Sequence, residues 1–119
     1  MKIRIKGNSL RYRLTKTDIA SFERDGYLEE STNFGTQVFK YALQRTLTGQ
    51  LTADFTNNTI IMYMPADLAL EWTSTDRVGY ENNSNQMYLL VEKDFKCLDN
   101  VAEDQSDNYP NPLVENFAK

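Results

Sequence analysis

The residues of this chain best suited to bind another molecule are basic side chains close to the first residue. Lysines and arginines alternate there with apolar residues, at Lys2, Arg4, Lys6, Arg11 and Arg13. The first 16 residues contain no Asp or Glu, although the whole chain has 17 acidic and 13 basic residues and a formal net charge of −4. A local excess of positive charge attracts anionic groups even on an acidic protein. We therefore predict that these five residues bind an anionic partner, either a macromolecule such as nucleic acid or another protein.

Two predicted strands would position these basic residues. Residues 2–6 and 10–14 both alternate between polar and apolar side chains, and the turn-forming residues 7–9 separate them. If the two strands pair as a hairpin, all five basic side chains share one face. Such a ribbon can contact the phosphates of nucleic acid. Two other interpretations stay open, namely a solvated outer face and a face that pairs with the acidic C-terminal segment of the same chain.

Acidic residues near the C-terminus form a second candidate site. Carboxylates are the ligands that calcium and magnesium prefer, and several within one segment can reach one ion. The spacing differs from a calcium-binding EF-hand loop, because no glycine follows Asp99 at the sixth position. The predicted metal ligands are Asp99, Glu103, Asp104 and Asp107, with Glu92 and Asp94 just before them.

The single cysteine, Cys97, is a candidate reactive thiol, since the neighbouring Lys96 could lower its pKa. The alternative is a buried structural thiol, because Phe95 and Cys97 are two residues apart and would face the same side of a strand. The chain has no histidine, which removes the commonest general base and the usual zinc ligand. A metal-dependent or cysteine-dependent enzyme centred on residues 92–107 is the alternative function, although an enzyme is the less favoured class.

The predicted fold is a single α+β domain, mainly an antiparallel sheet of five to seven strands. A helix over residues 16–24 is expected, with Thr15 and Asp18 as its capping box, and a short helical segment over residues 66–73. Asn57-Asn58 predicts a tight hairpin, residues 81–86 predict a loop, and residues 87–91 predict a central strand covered on both faces. No internal repeat is detected. Residues 1–100 are expected to form the globular domain, and residues 101–119 an acidic, proline-containing tail packed on or near it.

The sequence also indicates where the protein acts. No apolar run is long enough to span a membrane, and no hydrophobic stretch of the secretory type follows the basic N-terminus, so a cytoplasmic location without a membrane partner is expected. We predict no cofactor. Exposed strand edges would allow a homodimer. The leading functional hypothesis is a non-enzymatic binding module, in which the acidic tail competes for the basic hairpin.

Two resemblances add to these predictions. Residues 2–14, 91–98 and 104–112 resemble a family of small uncharacterised bacterial proteins over most of the chain, which implies a bacterial cytosolic origin and no known activity or site. Residues 7–14, Gly-Asn-Ser-Leu-Arg-Tyr-Arg-Leu, resemble the start of swapped-hairpin antitoxin and transition-regulator DNA-binding domains. In those domains proline usually stands at the position of Thr15.

Overall fold

The part of the chain that the structure describes folds into two four-stranded β-sheets and two α-helices. The structure is a computed structural model, and it describes residues 1–95 and 107–110. The α+β class is confirmed, as are the helix predicted over residues 16–24 and the helical segment near 66–73. In chain order the elements are β1 (Lys2–Lys6), β2 (Ser9–Leu14), α1 (Lys16–Asp25), β3 (Tyr27–Asn33), β4 (Val38–Thr46), β5 (Thr52–Thr56), β6 (Thr59–Pro65), α2 (Ala66–Ser74), β7 (Gly79–Ser84) and β8 (Met87–Lys93).

Each sheet consists of two hairpins that pair side by side. The first sheet has the strand order β1-β2-β8-β7 and the second has the order β3-β4-β6-β5. The two strands of every hairpin are antiparallel, as predicted for most of the sheet, but the central strands β2 and β8, and likewise β4 and β6, run parallel. Both sheets are therefore mixed. Local alternation identifies a strand but does not show which distant strand it pairs with.

The order of elements repeats along the chain, as ββαββ followed by ββαββ. The two halves exchange hairpins, because β1-β2 pairs with β7-β8 and β3-β4 pairs with β5-β6. The sequence itself shows no detectable repeat. The equivalent residues are alike in their position in the fold but differ in type, which hides the repeat in the sequence. The starts of β1, β2 and α1 at Lys2, Ser9 and Lys16 recur 50 residues later at Thr52, Thr59 and Ala66.

The first helix begins and ends where its capping residues predict. The Thr15 hydroxyl accepts a hydrogen bond from the backbone N–H of Asp18, and the Asp18 carboxylate accepts one from the backbone N–H of Thr15. Gly26 has a positive φ of 68° and donates its N–H to the carbonyl of Phe22. These caps fix the direction in which the chain leaves β2 and enters β3.

Residues 79–84 form an edge strand, so the loop predicted over residues 81–86 is wrong. Tyr80 is the one large apolar side chain in this strand, and the alternation is too weak to identify a strand from sequence. Two contacts hold it in place: β7 pairs along its length with β8, and the Asn82 amide donates to the carbonyl of Leu51 over 2.8 Å. The turn comes later, at Asn85 and Gln86, which have positive φ values of 51° and 65°.

The strand β8 is covered on one face only, which corrects the prediction that both faces are covered. Leu89 and Val91 are buried in the core, whereas Tyr88 and Leu90 are half-buried on the outer face. A continuous apolar run does not distinguish a strand covered on both faces from one whose outer face holds partly exposed aromatic and aliphatic side chains.

One apolar core lies between the sheets and extends to the two helices. The rings of Phe22 in α1 and Trp72 in α2 meet edge to face with their centroids 6.3 Å apart. The indole N–H of Trp72 donates to the carbonyl of Val78 over 2.9 Å. Neither helix in residues 1–95 and 107–110 is long and apolar enough to cross a membrane. The largest fully buried side chains include Leu10, Tyr12, Leu14, Phe22, Leu43, Met62, Met64, Trp72, Leu89 and Val91.

Buried tyrosines make the stability of the fold sensitive to alkaline pH. Burial raises the pKa of Tyr12, and it raises the pKa of Tyr80 to about 12, with a further contribution from the Glu71 carboxylate. An unfolded tyrosine ionises near pH 10. Since the folded pKa values are higher than the unfolded ones, this stabilisation is complete below about pH 10 and is lost as the pH rises towards the folded values.

We therefore expect the urea midpoint of unfolding to fall steadily between about pH 10 and pH 12. The measurement is a set of urea titrations followed by circular dichroism, with tyrosinate absorbance recorded in parallel. Tyr12→Phe should weaken the pH dependence. Full tyrosinate absorbance with the native spectrum intact at pH 11 would contradict the prediction.

Candidate anion-binding face

The hairpin β1-β2 carries the five basic residues that the sequence singles out. Its turn contains Gly7, which has a positive φ of 54°, and the Ser9 hydroxyl donates to the carbonyl of Lys6 over 2.6 Å. Residues opposite each other in antiparallel strands lie on the same face of a sheet. In this hairpin Lys2 lies opposite Arg13, Arg4 opposite Arg11, and Lys6 opposite Ser9, while Leu10, Tyr12 and Leu14 are buried on the other face. We call the outer surface formed by Lys2, Arg4, Lys6, Arg11 and Arg13 the basic face.

One carboxylate from β8 lies against the basic face. Glu92 lies beside Arg13 in the parallel register, and its Oε1 accepts a hydrogen bond from Arg13 Nε at 2.8 Å. Arg11 Nε lies 3.8 Å from the same oxygen. Glu92 therefore orients two guanidinium groups and offsets part of their charge, and a net positive charge is left on the face.

A second carboxylate holds one end of the basic face. Lys2 Nζ lies 3.2 Å from Oδ2 of Asp94, a residue that is only 4% exposed. Asp94 directly follows β8, so this ion pair links β1 to the end of β8. Because a buried carboxylate without a cation is destabilising, we assign Lys2 a structural contribution in addition to its positive charge.

Arg4 and Lys6 form the part of the basic face that is open to a partner. Neither makes an ion pair with another residue in the part of the chain that the structure describes. Together with Arg11 and Tyr88 they surround a shallow hollow of about 190 Å³. The Tyr88 hydroxyl donates to Glu81, and this hydrogen bond raises the pKa of Tyr88, so the ring is neutral at physiological pH. The hollow thus combines three cations with an aromatic ring.

The corresponding hairpin of the second half, β5-β6, has no basic face. Lys40 lies on the neighbouring strand β4, and its Nζ is 4.0 Å from the Glu29 carboxylate. Among the described residues, only the first of the two equivalent hairpins carries a basic face. The residues 50 positions after the basic face are Thr52, Asp54, Thr56, Ile61 and Tyr63.

Residues 107–110 pack against the start of α1. Oδ1 of Asp107 accepts hydrogen bonds from the N–H and the hydroxyl of Thr17, at 3.3 and 3.0 Å. Hydrogen bonds from Thr15 and then from Thr17 lower the pKa of Asp107. The Tyr109 ring packs on Phe95 with a centroid distance of 5.7 Å. Residues 107–110 make no hydrogen bond or ion pair with Arg4, Lys6, Arg11 or Arg13.

The predicted metal site and the predicted reactive thiol are not tested by the described residues. Within residues 1–95 and 107–110 no three Cys, Asp or Glu residues are grouped so that they could hold a metal ion. Glu92 and Asp94 pair with Arg13 and Lys2 instead. Four of the predicted residues, Cys97, Asp99, Glu103 and Asp104, lie outside the described residues.

Tyr88 is the residue of this face that the sequence does not single out. It lies in the apolar run of residues 87–91 and is expected there to be buried. A signal was present, because Tyr88, Leu90 and Glu92 alternate with Met87, Leu89 and Val91, and a glutamate in phase with Tyr88 indicates an outer face.

The fold and the basic face together define the class of this protein. It is an α+β protein of two ββαββ halves that exchange hairpins, and its first hairpin carries the basic face. The chain belongs to DUF7009, a family of unknown function whose model matches residues 1–113. This match confirms the resemblance to an uncharacterised family. No curated protein and no solved structure matches the chain. The function therefore has to be argued from the basic face itself.

Proposed function

We propose that this protein is a non-enzymatic binding module whose basic face holds nucleic acid. The observation that carries the proposal is the placement of five basic side chains on one outer face, where Arg4 and Lys6 make no ion pair with any described residue. Cations presented in this way bind phosphates and release counterions from the nucleic acid. A nucleic-acid partner also agrees with the cytoplasmic location expected from the sequence.

Two features favour nucleic acid over other polyanions. Tyr88 and Leu90 lie among the cations, so a base could stack on the ring while its phosphate contacts Arg4 or Arg11. Residues 7–14 also resemble the start of swapped-hairpin DNA-binding domains, and the hairpins of this chain are exchanged between its halves. That pattern usually has proline at the position of Thr15, and the equivalent residue of the second half, 50 positions later, is Pro65.

The proposal includes competition from the acidic tail. The chain as a whole has a net charge of −4, so binding should be moderate and sensitive to salt. Glu103 and Asp104 are the carboxylates we assign to this competition. Their neutralisation, Glu103→Gln with Asp104→Asn, should strengthen binding at low salt if the tail competes for the basic face.

The test is a fluorescence anisotropy titration of labelled single-stranded DNA, double-stranded DNA and RNA at low and physiological salt. We expect the double variant Arg4→Gln/Arg11→Gln to lower the affinity about tenfold or more at low salt. The slope of log affinity against log salt should become shallower by about two, because each lost phosphate contact removes roughly one unit.

The matched control is Arg24→Gln/Lys40→Gln, which removes the same charge from positions outside the basic face. Its affinity and salt slope should stay close to those of the unmodified protein. Equal losses of affinity in both double variants would show that the effect comes from net charge alone. The basic face would then not be the binding site. Failure to bind any of the three nucleic acids at low salt would exclude the proposed function.

A further inference from the structure

The outer face of the first sheet has its cations on one side only. They lie on β1 and β2, whose lines of Cα atoms are about 5 Å apart. The neighbouring strands β8 and β7 present no cation to this face, because their outward residues alternate with the buried Leu89 and Val91. Those outward residues are Tyr88, Leu90 and Glu92 in β8, and Gly79, Glu81 and Asn83 in β7.

Two hollows follow each other along the basic side of the sheet. The hollow between Lys6 and Tyr88 is continued by a second one of about 150 Å³. Arg4 and Arg11, which lie opposite each other in the hairpin, line both hollows. Consecutive phosphates of one polynucleotide strand can therefore each meet at least two cations there. The second hollow is lined by Lys2, Ile3, Arg4, Arg11 and Arg13.

The charge pattern of this face suits one row of phosphates and not two. A double helix carries two rows, separated by grooves of about 6–12 Å. With one row on β1 and β2, a second row on the side of β7 would lie near Glu81 and Glu92, whose carboxylates repel phosphate. On the other side the face ends, because β1 is the edge strand of its sheet.

The hairpin also cannot enter the major groove of a double helix as a free ribbon. That groove is about 12 Å wide and admits two strands, whereas four paired strands measure about 14 Å from the first axis to the last. The strand β2 is paired with β8 along its whole length. Even the turn is held, because the Asn8 amide donates to the carbonyl of Gln86 and the Asn8 carbonyl accepts from the Tyr88 N–H at 3.0 Å.

Tyr88 lies directly beside the row of cations. It is next to Ser9 in the parallel register, and its hydroxyl donates to the Glu81 carboxylate, which holds the half-buried ring in place. A base can stack on such a ring only when its own face is free, as in a single strand and not inside a duplex. Leu90, two residues further along β8, offers an apolar surface to the next base.

We propose that the basic face binds single-stranded nucleic acid in preference to a double helix. The phosphates of one strand lie along β1 and β2, and the bases turn towards Tyr88 and Leu90. This inference rests on the proposed function and specifies its ligand. The contacts are common to DNA and RNA, because phosphates and stacked bases are present in both.

Four fluorescein-labelled probes of equal length test the proposal on the intact protein by anisotropy. They are oligothymidine, oligouridine, the duplex of oligothymidine with oligodeoxyadenosine, and an abasic deoxyribose phosphate strand. At low salt we expect both single strands with bases to bind about tenfold more tightly than the duplex and the abasic strand. The comparison of oligothymidine with oligouridine distinguishes DNA from RNA as the source of the strand.

Two variants of Tyr88 test the stacking contact. Tyr88→Ala should lower the affinity for oligothymidine about fivefold to tenfold and leave the abasic strand unchanged, whereas Tyr88→Phe, which keeps the ring, should bind oligothymidine as the unmodified protein does. The matched control is Tyr63→Ala. Tyr63 is a half-buried tyrosine on the outer face of the second sheet, and its replacement should change neither affinity.

The outcomes separate this inference from the proposed function. Duplex binding as tight as that of the single strands, and still weakened by Arg4→Gln/Arg11→Gln, would overturn the inference and leave the proposed function in place. An unchanged affinity for oligothymidine in a Tyr88→Ala protein with a native circular dichroism spectrum would also overturn it. Binding of none of the probes would exclude the proposed function and this inference together.

Discussion

Replacement of Trp72 by alanine should lower the free energy of unfolding by about 3–5 kcal/mol, a large part of the total for a domain of this size. Trp72 is fully buried in α2, where its ring packs edge to face on Phe22 and its N–H donates to the carbonyl of Val78. The substitution leaves a cavity between the helices. The Val78 carbonyl keeps one partner, because Lys93 N–H also donates to it.

The measurement is a urea titration followed by circular dichroism, since Trp72 is the one tryptophan and its fluorescence is lost in the variant. The matched control is Leu70→Ala in the same helix, where the side chain is 68% exposed, and its effect should stay within about 0.5 kcal/mol. A Trp72→Ala midpoint close to that of Leu70→Ala would show that the contact between the helices contributes little to stability.

Replacement of Gly79 by alanine should destabilise the protein by about 3 kcal/mol or prevent folding, because the new methyl group would meet backbone atoms. An ideal Cβ at Gly79 lies 2.1 Å from the Val91 carbonyl oxygen and 2.8 Å from Glu92 Cα. These atoms belong to β8, so the pairing of β7 with β8 would have to separate. Glu92 would move with it, and the orientation of Arg13 on the basic face would change.

Gly7→Ala is the matched control, since nothing lies within 4 Å of a Cβ at Gly7 and only its positive φ of 54° disfavours alanine. That conformation costs about 1 kcal/mol in a residue other than glycine. Thermal unfolding of both variants gives the comparison. A Gly79→Ala protein at least as stable as Gly7→Ala would mean that β7 can shift away from β8 without loss.

The sequence predicts those parts of the fold that local chemistry determines. Thr15 and Asp18 form a capping box with each other, and Asn57 and Asn58 adopt the positive φ values of 53° and 59° that a tight hairpin needs. Strand β7 could not be predicted, because what holds it is its pairing with β8 and the bond from Asn82 to Leu51. The parallel pairing of distant strands likewise leaves no local pattern.

The geometry of the basic face was predictable for the same reason. The alternation at Lys2, Arg4 and Lys6 determines which side chains share a face once the strand is paired. The alternation in β8 indicates an outer face for Tyr88 and Glu92, but it does not show that they join the basic face, because β8 reaches β2 through a parallel pairing of strands far apart in the chain.

The exchange of hairpins also determines the order in which the protein can be completed during synthesis. All strands of the second sheet lie within residues 27–65, whereas the first sheet combines residues 2–14 with residues 79–93. Leu10 pairs with Leu89, 79 positions later, and closing so long a loop is slower than forming contacts between neighbouring strands. The second sheet can therefore form before β7 and β8 pair with the first hairpin. The basic face gains Tyr88 and Glu92 only in the last of these folding steps. A nascent chain therefore presents its basic residues before it presents a finished binding surface.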